Sequence, residues 1–274
     1  MKFIADKIEE KKFSHSQIIN MDEVPLHFDC PPNRTVSKSG EKSVPITTTG
    51  NERLSFTCVL ACAANGQKLK PMLVFKRKTL PQDTFPTDVL VKCNGNGRMC
   101  EQLMLDRLNE IWRKRKGAFF IPSGALIMDS MRAHLMDSVK EEARKASATL
   151  AIIPDGLTKI LQPLDLTMNK SFKSHVRKHW ENWMATGTHE YTKSGKRKKA
   201  SYAEVAKWVS EAWKAVSPDV IKSGFSRAEI IHQIEEEIND DEDIHENGDS
   251  IEFDEDVFQY FHSESENSDF EGFI

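Results

Sequence analysis

Two short apolar runs limit most sharply what this chain can fold into. Ala125-Leu126-Ile127-Met128 is closed by Asp129, and Leu150-Ala151-Ile152-Ile153 is closed by Pro154. Runs this short, bounded by turn formers, read as buried strands rather than helices. Between them, residues 136–146 are charged except on one side, where Val139 and Ala143 fall four apart and predict a helix docked by a narrow face. Strands that are apolar throughout must be covered, so this sheet carries helices on its faces. Upstream, residues 18–28 read as a strand broken by Pro31-Pro32-Asn33. Residues 44–49 and 54–63 read as two strands around Gly50-Asn51, and Asn65-Gly66 is a tight-turn signal leading to a strand over 69–76. Residues 79–98 look like loop. Residues 101–115 space Leu103, Leu105, Leu108, Ile111 and Trp112 as a helix, and another follows Pro163 over 167–183. Ser201-Tyr202-Ala203-Glu204 is a capping-box sequence opening a helix whose apolar face is Val205, Trp208, Val209, Ala212, Trp213 and Val216. Pro218 ends that helix, and a helical turn follows over 220–225. The expected fold is α/β, a mixed sheet flanked by helices.

Charge divides the chain. Residues 228–274 hold 18 Asp and Glu with no Lys or Arg, which leaves residues 1–227 with 38 basic against 24 acidic residues, a net +14. A basic body points to a polyanionic partner, and the acidic end reads as a disordered tail. The five cysteines form no Cys-x-x-Cys pair. Cys58 and Cys62 sit inside an apolar run and read as core, a pattern suited to a reducing compartment. No apolar stretch approaches the ~20 residues of a membrane span, so no membrane partner is expected.

Three aspartates stand in distinctive settings: Asp22 within the first strand, Asp129 at the end of an apolar run, and Asp165 closing Leu161-Gln162-Pro163-Leu164-Asp165. Carboxylates at the ends of such elements are what Mg²⁺ binds, because it is a hard ion that prefers oxygen. Lys170, Lys173, Arg177 and Lys178 lie on or around the helix after Asp165, where some must share a face suited to phosphates. Arg132 and His134 follow Asp129 closely, and phosphate contact and helix capping are both open to them. Lys196, Arg197, Lys198 and Lys199 form a short basic run that reads as a nuclear localisation signal or a flexible linker.

Asn20-Met21-Asp22-Glu23, Met128-Asp129-Ser130-Met131-Arg132-Ala133-His134 and Leu161-Gln162-Pro163-Leu164-Asp165-Leu166-Thr167-Met168-Asn169-Lys170 together resemble the catalytic domain of pogo/Tigger-type transposases. Pro31-Pro32-Asn33-Arg34-Thr35-Val36 and the segment 218–225 add to the likeness. The resemblance implies a ribonuclease-H-like fold and a catalytic triad of Asp22, Asp129 and Asp165 holding two Mg²⁺ or Mn²⁺ ions. It also implies DNA as partner, strand cutting and transfer as activity, and a nuclear location. The alternative is a domesticated nuclear protein that binds DNA or protein without cutting. Val24 stands where the family usually has threonine, and Asp155 where it usually has glycine. The family places DNA-binding modules before the catalytic domain, and little precedes residue 15. The expectation is therefore a fragment, a domesticated remnant, or a chain working as a homo-oligomer or with a DNA-binding partner protein. The expected organisation is a lead-in over 1–14, a catalytic domain over 15–185, a basic linker over 186–200, a helical extension over 201–230 and the acidic tail over 231–274.

Overall fold

The computed structural model describes residues 8, 10–32 and 46–231. Most of the lead-in, residues 33–36 of the family-like segment and the acidic tail from 232 onward lie outside the described residues.

Among the described residues, six strands form one sheet: β1 (Ile18–His27), β2 (Ser55–Ala63), β3 (Met72–Lys76), β4 (Leu90–Asn94), β5 (Gly124–Asp129) and β6 (Ala148–Ile153), in the order β4-β3-β2-β1-β5-β6. β1, β2 and β3 pair antiparallel, while β4 pairs parallel to β3, β5 to β1, and β6 to β5. The helices are α1 (Glu101–Arg107), α2 (Arg132–Leu135), α3 (Asp137–Lys145), α4 (Thr158–Leu161), α5 (Asn169–Thr186), α6 (Tyr202–Ala215) and α7 (Pro218–Arg227).

Strand alternation sends successive side chains to opposite faces. Along β2, Cys58, Leu60 and Cys62 join a core with Phe172 and Trp180 of α5, Trp208 and Trp213 of α6, and Ile221 and Phe225 of α7. Val59, Ala61 and Ala63 join a second core with Leu103 and Met104 of α1 and Val139 and Ala143 of α3. On β1, Val24 and Leu26 belong to the first core and Ile19 and Met21 to the second. The same alternation turns Asn20 and Asp22 toward α5.

Several expectations are corrected. Residues 46–49 of the strand expected over 44–49 are irregular. The buried Asp29 carboxylate there accepts bonds from the Thr49 amide and hydroxyl and the Asn51 amide, which satisfies the backbone without a ladder. The segment expected as loop over 79–98 contains β4. Its residues are all half-buried, so no alternation marks it, and its central Lys92 is neutralised by Asp106 and Glu110 at 2.9 and 2.6 Å. The helix expected over 101–115 stops being α-helical at Arg107 and continues as a π-helical turn, Leu108–Trp112, that keeps Leu108, Ile111 and Trp112 buried. The Ser201 hydroxyl accepts from the Glu204 amide, but the Glu204 carboxylate takes the Trp208 indole N–H at 2.9 Å, so only half of the capping box forms. Pro218 ends α6 and also opens α7, where the missing amide costs nothing in the first turn and Ser217 caps the helix.

Candidate active site

Asp22 and Asp129 are level across adjacent strands. β1 and β5 pair Asn20 with Ile127, and carrying that register on by two residues sets Asp22 beside Asp129. Asp165 arrives from the loop after β6, in a π-helical turn, Leu164–Met168, that runs into α5. Asn20 fastens this turn to the sheet. Its side-chain amide donates to the Ile127 carbonyl at 3.1 Å, and its side-chain oxygen accepts from the Leu164 amide at 3.0 Å. Gln162 braces the turn through its backbone, its carbonyl accepting from the Asp165 amide at 3.1 Å.

Asn169, one turn after Asp165, joins two of the three carboxylates. Its side-chain N–H₂ donates to Asp22 Oδ2 at 2.7 Å and to Asp165 Oδ1 at 2.8 Å. With both N–H groups so directed, its buried Oδ1 has no hydrogen-bond partner among the described residues. Burial drives the Asp22 carboxyl well above its ordinary value, and the like charges of Asp165, Glu23 and Asp129 add to this against the Asn169 bond. The result is crowded negative charge beside an unsatisfied oxygen.

His134 departs from both sequence expectations. Its side chain is fully buried, so it is removed from any phosphate. Nδ1 lies 2.8 Å from Asp129 Oδ1 and Nε2 lies 3.1 Å from Glu23 Oε1. Burial pushes the imidazole down, but the bonds and charges of Asp129 and Glu23 carry it up to about 10. A ring raised in this way favours the protonated form that donates to both carboxylates. Glu23, Asp129 and His134 lie close enough together to hold a metal ion; while the ring is protonated on both nitrogens it has no lone pair to offer. This trio reads as a salt-bridged brace. Burial raises the Asp129 carboxyl, but the His134 bond and charge and the Met131 amide outweigh it and hold Asp129 below its ordinary value. Arg107, buried beneath Glu23's side of the sheet, donates Nε to Met21 Sδ at 2.8 Å; burial lowers it to about 10 against the Glu23 charge.

The departure residue Asp155 is exposed and accepts from the Ser130 hydroxyl, tying the loop after β6 to the residue after Asp129.

On α5, Lys170, Lys173 and Arg177 recur at three- and four-residue spacing and share one stripe, with Lys178 a quarter turn away. Lys170 and Lys178 are exposed, whereas Lys173 and Arg177 are half-buried. Burial lowers Lys173, partly offset by the charges of Asp22 and Asp165, which places its ammonium in the field of the acidic site. Arg132 is exposed beside Asp129. In the basic run, Lys196 is exposed, Arg197 donates to the Met184 carbonyl at 3.0 Å, and Lys198 pairs with Glu190 at 2.9 Å. Lys199 places its ammonium 3.8 Å from the Phe28 ring centroid and 3.9 Å from that of Tyr202. Three of the four are thus engaged with the fold.

Asn20 and Asn169 are site residues that the sequence left unassigned. Both carried a signal: Asn20 shares a strand face with Asp22, and Asn169 follows Asp165 by four in a helical stretch. Glu23 meets His134 across 111 positions, which no local pattern reveals.

Residues 51–225 match the family model of the DDE superfamily endonuclease. The chain belongs to this family. Among curated relatives of this DDE chain, the human "Pogo transposable element with KRAB domain" is 36% identical over 222 residues, covering 81% of this chain and 36% of the relative. The mouse protein of the same description is 34% identical over 81% of this chain and 37% of its own length. The "CENP-B homolog protein 2" of Schizosaccharomyces pombe is 26% identical over 79% of this chain and 42% of its own. The chain thus spans a little over a third of the length of the pogo-type relatives. In fold it is similar to Mos1 transposase in a paired-end complex with left transposon end, with a TM-score of 0.53 and 13% identity over 83% of this chain and 56% of that one. A pre-cleavage Mos1 transpososome gives a TM-score of 0.51 and 15% identity over 83% and 58%. The mixed sheet with helices on both faces is the ribonuclease-H-like fold, carried here by a transposase-like DDE endonuclease domain.

Proposed function

We propose that this chain is a catalytic core of pogo type that binds DNA in the nucleus and cuts or transfers its strands, with Asp22, Asp129 and Asp165 holding two Mg²⁺ or Mn²⁺ ions. The observation that carries this reading is the junction at Asn169. Asp22 and Asp165, from segments 143 residues apart in sequence, share one amide, while like charges press on Asp22 and a neighbouring buried oxygen goes unused. Oxygen ligands with excess negative charge fit a hard divalent ion. Bound there, the ions would stabilise the charge that builds on a phosphodiester during strand cutting. The residues around them have separate tasks. His134 and Glu23 hold Asp129 in one orientation, and Asn20 fixes the turn that carries Asp165. Lys170, Lys178 and Arg132 lie where the phosphates of a duplex laid along α5 would pass, with Lys173 and Arg177 beneath them on the same helix. A homo-oligomer or a DNA-binding partner protein belongs to the same reading.

The test is incubation of the chain with supercoiled plasmid and Mg²⁺ or Mn²⁺ beside Asp129→Asn. Nicking by the parent alone is expected. An inert parent that also shows no heat of Mn²⁺ binding by calorimetry would refute the catalytic reading and leave a domesticated binding protein.

A further inference from the structure

At the end of the sheet opposite the carboxylates, the loop between the π-helical turn and β5 exposes apolar surface in an unusual way. Phe119 and Phe120 are 91% and 84% exposed and Ile121 is 51% exposed. The two rings stand perpendicular with centroids 5.2 Å apart. Such exposure means that the rings project from the surface instead of lining a groove. Single exposed apolar residues are ordinary, but three in succession at a loop tip call for a partner.

The loop is built to hold them there. The Arg115 guanidinium stacks on the Trp112 ring at 4.0 Å and donates to the carbonyls of Trp112, Pro122 and Ser123, closing the loop across its base. The amides of Phe120 and Ile121 both bond to the Gly117 carbonyl, and Gly117 has a φ of +84°, a left-handed value that suits glycine. Ala118 is buried beneath the turn. The rings are thus presented on a fixed support, and binding them loses little chain entropy.

The flanking chemistry selects the partner. Lys114 and Lys116 are exposed on the same loop. Lys11 and Arg144 line the adjoining cavity with Ser123. Protein interfaces deplete charge, lysine above all, at their apolar centres. A projecting aromatic wedge between cations is instead suited to duplex DNA, where phosphates meet the cations and an apolar side chain enters between base steps. We propose that residues 114–121 form a second duplex-DNA contact: Phe119 or Phe120 unstacks a base step while Lys114 and Lys116 hold the neighbouring phosphates. This rests on the DNA-binding reading above and concerns a surface remote from the carboxylates.

The experiment uses the full chain in EDTA with a duplex carrying 2-aminopurine, read by anisotropy for affinity and by 2-aminopurine fluorescence for unstacking. Two variants are compared with the parent: F119A/F120A and K114Q/K116Q. The parent is expected to bind and to brighten the probe. F119A/F120A should lose the brightening and bind about tenfold more weakly, with unchanged thermal unfolding because the rings are exposed. K114Q/K116Q should lower the salt slope of binding by about two. Parental affinity and brightening in F119A/F120A overturn the wedge while leaving the DNA reading intact. A parent dimer that F119A/F120A dissociates overturns it in favour of an interface between copies. A parent that binds no duplex removes the DNA reading and the wedge with it.

Discussion

At the scale of single residues, His134 holds the site's geometry together. Losing one member of a buried charge pair strands the others and typically costs ~3–5 kcal/mol. His134→Gln is therefore expected to lower the melting temperature and to weaken Mn²⁺ binding by about 10- to 100-fold, because Asp129 loses the partner that orients it. Calorimetry measures both, and Glu23→Gln in the same background should recover part of the stability by removing a stranded carboxylate. Lys199 gives a pH dependence. Burial and the Arg77 charge press its ammonium down to about 8 from an ordinary value of 10.5, against Asp83. Between those values the unfolded chain holds more protons than the folded one, so stability rises with pH from about 8 toward 10.5. Urea titrations at pH 8 and pH 10 should show that rise, and Lys199→Met should flatten it.

At the scale of elements, the turn that carries Asp165 depends on α7. A Cβ at Gly224 would lie 2.6 Å from Thr167 Oγ1 and 2.8 Å from the Pro163 carbonyl oxygen, and Thr167 donates to the Val220 carbonyl at 2.9 Å. Gly224→Ala should force α7 off the Leu164–Met168 turn, destabilising the protein by about 1–3 kcal/mol and weakening Mn²⁺ binding although Gly224 touches no carboxylate. Chemical denaturation and calorimetry would show the two effects together. This dependence also marks how far the sequence could be read. β5 and β6 were legible because apolar runs ended at turn formers. β4 was not, because a half-buried strand centred on Lys92 shows no alternation, and its salt partners lie on the next helix. The two π-helical turns have no local signature, since each is set by what it packs against. Asp22, Asp129 and Asp165 could be named from their motifs, while the Glu23 and Asn169 contacts needed the fold to bring distant segments together.

At the scale of the whole molecule, a ligand that binds only the folded state stabilises it by mass action. Mg²⁺ or Mn²⁺ at a hundred times its dissociation constant should add about 2.7 kcal/mol and raise the thermal midpoint. Asp129→Asn should show little of that rise in a scanning calorimeter. The site is also a product of closures that span most of the chain. Asn20 meets Leu164 across 144 positions, Asn169 meets Asp22 across 147, and the Trp180 indole meets Asp29 across 151. β1 acquires its β2 neighbour early, but its other edge waits for β5, which begins 97 residues after β1 ends. During synthesis on the ribosome the central strand therefore emerges with one side open, an invitation to pair with another nascent chain. Any expression strategy for this domain has to shield that edge until residue 129 has left the exit tunnel.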